Sequence, residues 1–420
     1  MTVPPSIIAA ENFIRSGFFC EKTNLFYDYL VHNAADPLIS HLPTPYEISC
    51  LIPNACGWGT GMEDSMLSAG TMMEAVLAEY TVTGDPALPD FAAKIADGMA
   101  HCAEAAKRDG FLPRSVSPVD GVSHYINSSR DQYTHFILGA LLYLRSGLAS
   151  PELRERLERA LVSFARRCEA DVTAENNYAI LREDGGPSMV QEMWGNVGIE
   201  GALRMVLMFA AAHEVSGDAH WREMLLRYRD EGIRRSMDVE QLNAPIYAML
   251  QMQYSVRLLH DLEPDPTVRE RYRELMRRIA AHLPDPCAAA DRVCADPEHL
   301  TFPMYPWNRV KAYYIGSIGG LNWYNPGQSE LWENRGFYEI RGVGEIITAR
   351  ALRPGYRVSD DEISALVRVA GVIDYAKHCS YAPMALVNAY WVAAENRLSG
   401  SGSSFFHAEA LKDAEKCAIM

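Results

Sequence analysis

No apolar stretch in this 420-residue sequence approaches the roughly 18 consecutive residues that cross a bilayer. The opening segment, Met1-Thr-Val-Pro-Pro-Ser6, also lacks the basic region followed by an apolar region that marks a secretory signal. These two deficits predict a cytoplasmic protein with no membrane partner. A secreted protein trimmed of its signal would look the same.

Positive charge is scarce as well. Lys and Arg total 39 against 54 Asp and Glu, which gives a formal net charge of -15, and no basic stripe runs along the chain. An acidic surface repels phosphate backbones, so the sequence argues against a nucleic-acid partner. A pocket for an anionic ligand would have to supply its own positive charge.

The nine cysteines are odd in number, scattered and without a CxxC pair. This pattern argues against a disulfide framework and against a zinc site, and we expect neither a metal nor another cofactor. Cys102 and Cys168 fall within amphipathic helical patterns, where a free thiol packs as a small apolar side chain.

Signals for β-strands are few, whereas apolar residues recur three and four positions apart along most of the chain, which predicts an all-α protein. Five junctions between helices carry capping residues. In the first, we expect Gly84 to end one helix in the left-handed conformation and Asp85 to cap the next. The other four are Ser216-Gly217-Asp218, Ser150-Pro151, Asp265-Pro266 and a capping box formed by Ser359 and Glu362.

Helices before these junctions are apolar nearly all round and must be buried, whereas those after them are charged with one apolar stripe and belong outside. An inner ring wrapped by an outer ring is the (α/α)6 barrel, or six-hairpin toroid. We predict it as a single domain over residues 1–398, with a terminal helix as the last outer partner and a flexible tail over 399–420. The inner helices are predicted at 64–83, 130–146, 195–215, 243–262, 337–352 and 382–397.

Links from outer to inner helices are long, at 108–129, 169–194 and 284–335, and long loops in a compact domain are commonly functional. In a closed ring these loops gather over the N-termini of the inner helices, where the helix dipoles favour an anionic ligand. The alternative is an open α-solenoid used as a binding scaffold, although its repeats would be shorter and more uniform.

The candidate site residues cluster where these loops enter inner helices. Carboxylates serve acid–base chemistry, arginines pair with a uronate, and aromatic rings stack on sugars. The catalytic candidates are Asp64, Asp131, Glu63 and Glu192, and the substrate-binding candidates are Trp58, Arg114, His124, Tyr125, Arg130, Tyr133, Trp194, Asn196 and Trp323. A plain N-cap role for Asp64, and structural packing of the aromatic residues over the barrel mouth, are the alternatives.

Asp64 and Asp131 enter successive inner helices, so both carboxyl groups would face one cavity. Hydrolysis of a glycoside needs one carboxylic acid to protonate the leaving oxygen, and usually a second carboxylate to activate water or to attack. Proximity would raise one pKa and leave the other group ionised. We take Asp131 as the general acid and Asp64 as its partner, with Glu192 and Glu63 in reserve.

Two groups of segments resemble the six-hairpin glycosidases. They are Met62-Glu-Asp-Ser-Met66 with Glu79-Tyr-Thr-Val-Thr-Gly-Asp85, and Ser128-Ser-Arg-Asp-Gln-Tyr133 after Gly110-Phe-Leu-Pro-Arg114. The sequence looks most like unsaturated glucuronyl and rhamnogalacturonyl hydrolases, and like the exo-acting β-glucuronidases of glycoside hydrolase family 154. This resemblance implies that two aspartates at the starts of inner helices catalyse the reaction, and Asp64 and Asp131 match those places.

The sequence therefore predicts a glycoside hydrolase that removes a terminal uronic acid, saturated or 4,5-unsaturated, from an acidic oligosaccharide. A sugar epimerase or isomerase on the same barrel would need paired histidines, and only His124 and His135 lie near the predicted mouth. A uronate lyase would use Tyr125 or Tyr133 with Arg130. A non-catalytic scaffold would lack the concave pair of acids. The sequence is compatible with a homo-oligomer.

Overall fold

The computed structural model describes residues 2–28, 40–188, 190–296, 307–326, 335–375 and 382–398. These residues are mostly helical, which confirms the all-α class; the predicted tail lies outside them. No helix in the described ranges is long and apolar enough to cross a bilayer. The helices are α1 (Pro5–Phe13), α2 (Pro45–Ser49), α3 (Ser65–Thr83), α4 (Leu88–Glu104), α5 (Arg130–Arg145), α6 (Pro151–Asp171), α7 (Arg204–Ser216), α8 (Ala219–Ser236), α9 (Ile246–Leu262), α10 (Pro266–His282), α11 (Pro286–Ala295), α12 (Arg335–Ala351), α13 (Asp360–Val372) and α14 (Ala382–Leu398).

Two short antiparallel pairs of strands interrupt the helices: β1 (Phe19–Cys20) with β2 (Leu25–Phe26), and β3 (Ala312–Ile318) with β4 (Leu321–Pro326). The second pair is a hairpin within the predicted loop 284–335, which also contains α11. Gly319 and Gly320 form its turn with φ values of 55° and 80°. A Gly-Gly pair between two runs rich in aromatic and β-branched residues was the sequence signal for this hairpin.

Five of the six predicted inner helices begin within three residues of the predicted position, and their side chains are buried on nearly all faces. The predicted helix 195–215 begins later than expected, at Arg204, after a short 3-10 turn at Ile199–Gly201. Closely spaced glycines precede it, and Gly195 adopts a positive φ of 68°, which a helix does not permit. The residues before α7 therefore lie in a loop.

Most of the predicted caps are confirmed. Gly84 and Gly217 end their helices in the left-handed conformation. The side chains of Ser150, Asp218 and Asp265 accept hydrogen bonds from the first turns of α6, α8 and α10, and Ser359 with Glu362 forms the capping box of α13. The prediction for Asp85 was wrong, because α4 begins at Leu88 and Asp85 instead accepts a hydrogen bond from the amide of Ala87 within the preceding turn.

The buried helices contact one another in chain order. α3 contacts α5, α5 contacts α7, α7 contacts α9, α9 contacts α12, α12 contacts α14, and α14 contacts α3. The amphipathic helices cover them: α4 packs on α3, α6 and α8 on α7, α10 on α9, and α11 on α12 and α13. The N-terminal helix α1 packs on α13 and α14, so it covers the last buried helix as predicted.

The thiols follow the prediction where the structure describes them. Cys102 and Cys168 are completely buried within α4 and α6, and all seven described cysteines are free. Cys102 and Cys168 act as small apolar side chains of the core.

Gly70 sets the distance between α3 and α5. A Cβ atom added there would lie 2.2 Å from the carbonyl oxygen of His135 on α5. We expect Gly70→Ala to force the two helices apart and to lower the free energy of unfolding by about 2 kcal/mol, the usual cost of an overfilled core. Urea denaturation measures this change.

The matched control for that substitution is Gly371→Ala in α13, where the nearest atom to an added Cβ, the Cβ of Ser6, is 3.8 Å away. Alanine is the better helix former, so this variant should be at least as stable as the parent. Equal stability of Gly70→Ala and Gly371→Ala would show that the α3–α5 contact does not depend on the missing side chain.

Candidate active site

Asp64 occupies the N-cap position of α3 without capping it. Its carboxylate makes no hydrogen bond to the first turn of the helix. Instead its Oδ1 accepts hydrogen bonds from Nε2 of Gln132 at 2.7 Å and from Nη1 of Arg114 at 3.4 Å. About 20% of the side chain is exposed. The carboxyl group is thus directed towards α5 and the loop before it, and the plain capping role does not hold.

Asp131 lies in the first turn of α5 and pairs with a buried arginine. Its Oδ1 accepts a hydrogen bond of 2.6 Å from Nη1 of Arg204, the first residue of α7, while 31% of its side chain stays exposed. Arg204 also donates from Nη2 to Oε1 of Gln251 on α9 at 2.7 Å. Sequence reasoning missed Arg204, although a charge within an otherwise apolar inner helix was the available signal, because a buried arginine requires a partner.

The two carboxyl groups have opposite pKa displacements. Burial raises the pKa of Asp64 above its ordinary value against the lowering charges of Arg114 and Arg341, and the charge of Asp131 adds to the rise. Burial also acts to raise the pKa of Asp131, but the charge and hydrogen bond of Arg204, with the charge of Arg130, hold that pKa below its ordinary value. These directions favour Asp64 as the proton donor and Asp131 as the ionised partner, the reverse of the roles predicted from the sequence.

Two further acids lie behind this pair. Glu63 is buried, and its Oε2 accepts a hydrogen bond from the amide of Gly59 at 2.5 Å. Asp28 is buried too, and neither of its carboxyl oxygens has a hydrogen-bond partner in the part of the chain that the structure describes. Burial, and then the charge of a neighbouring acid, raise the pKa of both groups well above their ordinary values. Burial therefore favours the neutral form of both groups, and neither reaches solvent as a second catalytic carboxylate would.

Asp28 was not identified from the sequence. Its amide donates a hydrogen bond to the carbonyl oxygen of Gly61 at 3.1 Å. Gly61 has a φ of 90°, and a Cβ there would lie 2.5 Å from the carbonyl oxygen of Asp28. Only glycine permits this close approach. The hydrogen bond joins the residues after β2 to the loop that leads into α3.

Four guanidinium groups surround the carboxyl pair. Arg114 is buried, donates to the carbonyl oxygen of Glu63 at 2.9 Å, and lies over the ring of Trp58 with its Cζ 5.6 Å from the ring centroid. Arg341 of α12 pairs with Glu345 and lies 4.9 Å from the ring centroid of Tyr247. Arg204 and Arg130 flank Asp131. These arginines bring positive charge next to the carboxyl pair in a protein whose net charge is -15.

Three predicted binding residues use their polar atoms in hydrogen bonds within the protein. His124 has Nδ1 at 2.8 Å from the carbonyl oxygen of Val122 and Nε2 at 3.1 Å from both carboxylate oxygens of Glu183. The buried hydroxyl groups of Tyr125 and Tyr133 donate to the carbonyl oxygens of Ile52 and Gly110. These contacts fix the loop 105–129 in place, so the surroundings of these three side chains do not support the prediction that they bind substrate.

The predicted site residues Glu192, Trp194 and Asn196 lie in the loop before α7, because that helix begins late. Trp194 packs edge-on against Tyr228 with ring centroids 5.0 Å apart, and Arg235 covers its ring. Glu192 accepts a hydrogen bond from the amide of the exposed Asn196 at 3.0 Å. These contacts give Trp194 a packing role and make Glu192 part of a turn.

The predicted stacking residues Trp58 and Trp323 contact each other, with ring centroids 5.1 Å apart. Trp323, on β4, is only 1% exposed and packs against Ala55 and Cys56. Trp58 is half-buried and lies beside Arg114. Of the two rings, Trp58 alone keeps a surface near the carboxyl pair, and Trp323 supports it from behind.

A narrow cavity lies between α3, α5, α9, α12 and α14. It is lined in part by Tyr247, Gln251, Arg341, Asn388 and His135, and leaves room for about one water molecule. Burial lowers the pKa of His135 to about 4, so the ring is neutral, and its Nδ1 donates to the carbonyl oxygen of Asp131 at 3.0 Å. His135 is the one histidine lining this cavity among the described residues. No cluster suited to hold a metal ion occurs in those residues either.

Comparison of the sequence with models of protein families finds no match, and comparison with curated proteins finds none. What the chain does must therefore be inferred from the residues of its own site.

Proposed function

We propose that the six buried helices form the inner ring of an (α/α)6 barrel, and that the chain is a glycoside hydrolase removing a terminal uronic acid from an acidic oligosaccharide. The return of helix contacts from α14 to α3 supports the ring. The observation that carries the function is the carboxyl pair at the starts of α3 and α5, in which one pKa is raised and the other lowered. Such a divergence separates an acid from a base.

In this proposal each aspartate has one role. Asp64 holds the proton and donates it to the glycosidic oxygen as the bond to the sugar breaks. Asp131 stays ionised and accepts a proton from the water that attacks the sugar carbon. For a 4,5-unsaturated uronic acid, Asp64 would instead protonate the vinyl ether, and water would add to give a hemiketal that collapses and releases the aglycone.

The preference for an acidic sugar is supported by charge. The protein has a net charge of -15, which repels anions at long range. Four arginines nevertheless lie around the carboxyl pair, and guanidinium groups pair well with carboxylates.

The alternative reactions find less support. An epimerase needs two positioned proton-transfer groups such as paired histidines, and His135 stands alone in the cavity within the described residues. A lyase would use a tyrosine as base, but the hydroxyl groups of Tyr125 and Tyr133 are buried and bonded to backbone carbonyls. A scaffold protein would have no need of two carboxyl groups with divergent pKa values.

The direct experiment is incubation of the purified chain with matched saturated and 4,5-unsaturated glucuronyl oligosaccharides. Release of free uronic acid from the saturated compound would establish hydrolysis. Loss of the ultraviolet absorbance of the vinyl ether would establish the hydration route. If neither compound changes over a broad pH range, the proposed function is wrong.

Arg204 provides a test of the base. Arg204→Met should raise the pKa of Asp131, because the arginine charge and hydrogen bond that hold it down are removed. Since Asp131 must be ionised, activity is lost as the pH falls through its pKa, and this acid limb should move to higher pH by roughly 1–3 units. A pH profile of kcat/KM measures the shift.

Arg229→Met is the matched control for Arg204→Met. It removes a partly buried arginine of α8 from an ion pair with Glu263 at 3.1 Å, and this arginine does not pair with Asp64 or Asp131. It should lower stability and leave the acid limb in place. An equal displacement of the limb in both variants would mean that Arg204 acts only through overall stability.

A further inference from the structure

The four guanidinium groups near the carboxyl pair differ in their exposure and in the hydrogen bonds that they make within the protein. Arg114, Arg204 and Arg341 are each at most 7% exposed. They donate to Glu63 and Asp64, to Asp131 and Gln251, and to Glu345, respectively. Groups held in this way position the catalytic acids and leave little surface for a ligand.

Arg130 is different. It is the first residue of α5, next to Asp131, and it is only half-buried. Its Nη1 donates to the carbonyl oxygen of Glu192 at 3.4 Å, which orients the guanidinium plane. Its Nε and Nη2 atoms make no hydrogen bond to any residue that the structure describes. One edge of this cation is therefore oriented, is not used in a hydrogen bond by the described residues, and belongs to the residue next to the ionised catalytic carboxylate.

We propose that Arg130 recognises the carboxylate of the terminal sugar through Nε and Nη2, which makes it the residue that selects an acidic substrate. This inference rests on the hydrolase function proposed above. A carboxylate matches the two parallel N–H groups of a guanidinium edge, and a bidentate pair of this kind fixes orientation as well as charge. It places the sugar carboxylate on the Arg130 side of Asp131 and the glycosidic oxygen on the side of Asp64 and Trp58.

This selectivity must come from the hydrogen bonds between Arg130 and the sugar carboxylate, not from the electrostatic potential of the surrounding charges. Arg204 adds positive charge beside Arg130, while Asp131, Glu200 and Glu192 add negative charge there. With one positive and three negative neighbours, the surroundings of Arg130 supply no surplus of positive charge. A neutral hydroxymethyl group in place of the carboxylate would lose both charge-assisted hydrogen bonds and gain nothing from the surrounding charge.

The test compares a glucuronide with the glucoside that carries the same aglycone. In Arg130→Gln, the ratio of kcat/KM for the glucuronide to that for the glucoside should fall by roughly 10- to 100-fold, as expected for loss of a charge-assisted pair. The fall should come from a higher KM for the glucuronide. Arg130→Lys should recover part of the ratio, because it keeps the charge but cannot bind bidentately. Arg145→Gln, at the far end of α5 and paired there with Glu214, should keep the parental ratio.

The outcomes separate this inference from the function beneath it. If Arg130→Gln slows both glycosides by the same factor, Arg130 acts through Asp131 and the inference is overturned. If the parent cleaves neither glycoside, the hydrolase proposal fails. Calorimetric titration with free glucuronate then decides the recognition site: binding that is lost in Arg130→Gln and kept in Arg145→Gln supports it, whereas absent binding, or equal binding in both variants, overturns it.

Discussion

Asp64→Asn is expected to reduce kcat/KM on a uronyl substrate by roughly 10²- to 10⁴-fold, the usual contribution of a positioned general acid. Asparagine keeps the shape of aspartate, and its carbonyl oxygen can still accept hydrogen bonds from Gln132 and Arg114. It has no proton to give to the leaving oxygen. Steady-state kinetics on the uronyl oligosaccharide measures the loss.

The same substitution should leave the protein folded. Burial raises the pKa of Asp64, so the folded state favours the neutral form of this side chain. Its contribution to stability is present at low pH and is lost as the pH rises through the folded-state pKa. A neutral asparagine does not undergo that loss, so the melting temperature of Asp64→Asn at pH 8 should equal or exceed that of the parent.

Asp131→Asn is the informative comparison. It should also abolish turnover, but it leaves the guanidinium of the buried Arg204 without a counter-charge, which destabilises a folded protein by a few kcal/mol. The two variants therefore separate by melting temperature even where both are inactive. They separate again on a substrate with an activated nitrophenyl leaving group, which needs no general acid.

On the activated substrate, Asp64→Asn should regain activity and Asp131→Asn should not. The opposite result would assign the acid to Asp131, as the sequence alone predicted. Near-parental turnover of the natural linkage by Asp64→Asn would remove this residue from the mechanism.

The sequence predicted those parts of the fold that depend on local chemistry. Gly84, Gly217, Ser150 and Asp265 act as caps because capping requires only a side chain or a left-handed φ within a few residues. The buried helices were predictable for a similar reason, since an apolar surface all round a helix can only be buried. The late start of α7 was not predictable, because it depends on glycines whose effect on the backbone varies with context. The hairpin was missed although Gly319 and Gly320 signalled it, because its segment was predicted as a long loop.

The candidate site was predicted in position but not in detail. Asp64 and Asp131 lie at adjacent helix starts because helix order follows chain order. Their roles depend on which arginine reaches each carboxylate, and Arg204 comes from another helix. His124 illustrates the opposite error, since it is close to the site in sequence but its ring is held by Glu183. The residue types near a helix start do not reveal which distant side chain each of them will bond to.

Glu74 should make the stability of the protein depend on pH. It lies on α3 and is 4% exposed. Its Oε2 accepts hydrogen bonds from the hydroxyl of Tyr254 on α9 at 2.5 Å and from Nδ2 of Asn388 on α14 at 2.8 Å. Burial raises the pKa of Glu74 to about 7, although both hydrogen bonds act to lower it. This carboxyl group joins three buried helices and does so best when it is neutral.

The sign of the effect follows from that raised pKa. The unfolded chain has the ordinary value of 4.5, so the folded state holds its proton more tightly. The resulting stability is complete below about pH 4.5 and is lost as the pH rises to about 7 and beyond, with a total of about 3 kcal/mol. In Glu74→Gln this loss is absent. Relative to the parent, the variant should therefore gain stability steadily between pH 5 and pH 8.

Urea denaturation of both proteins at several pH values measures this difference. Glu155→Gln on α6 is the control, because Glu155 is 77% exposed and its replacement should shift the free energy of unfolding by the same small amount at every pH. A constant offset between Glu74→Gln and the parent would mean that Glu74 is ionised in the folded protein. In that case a buried charge would hold the contact between α3, α9 and α14. The proposal that Glu74 is neutral when it bonds to Tyr254 and Asn388 would then be wrong.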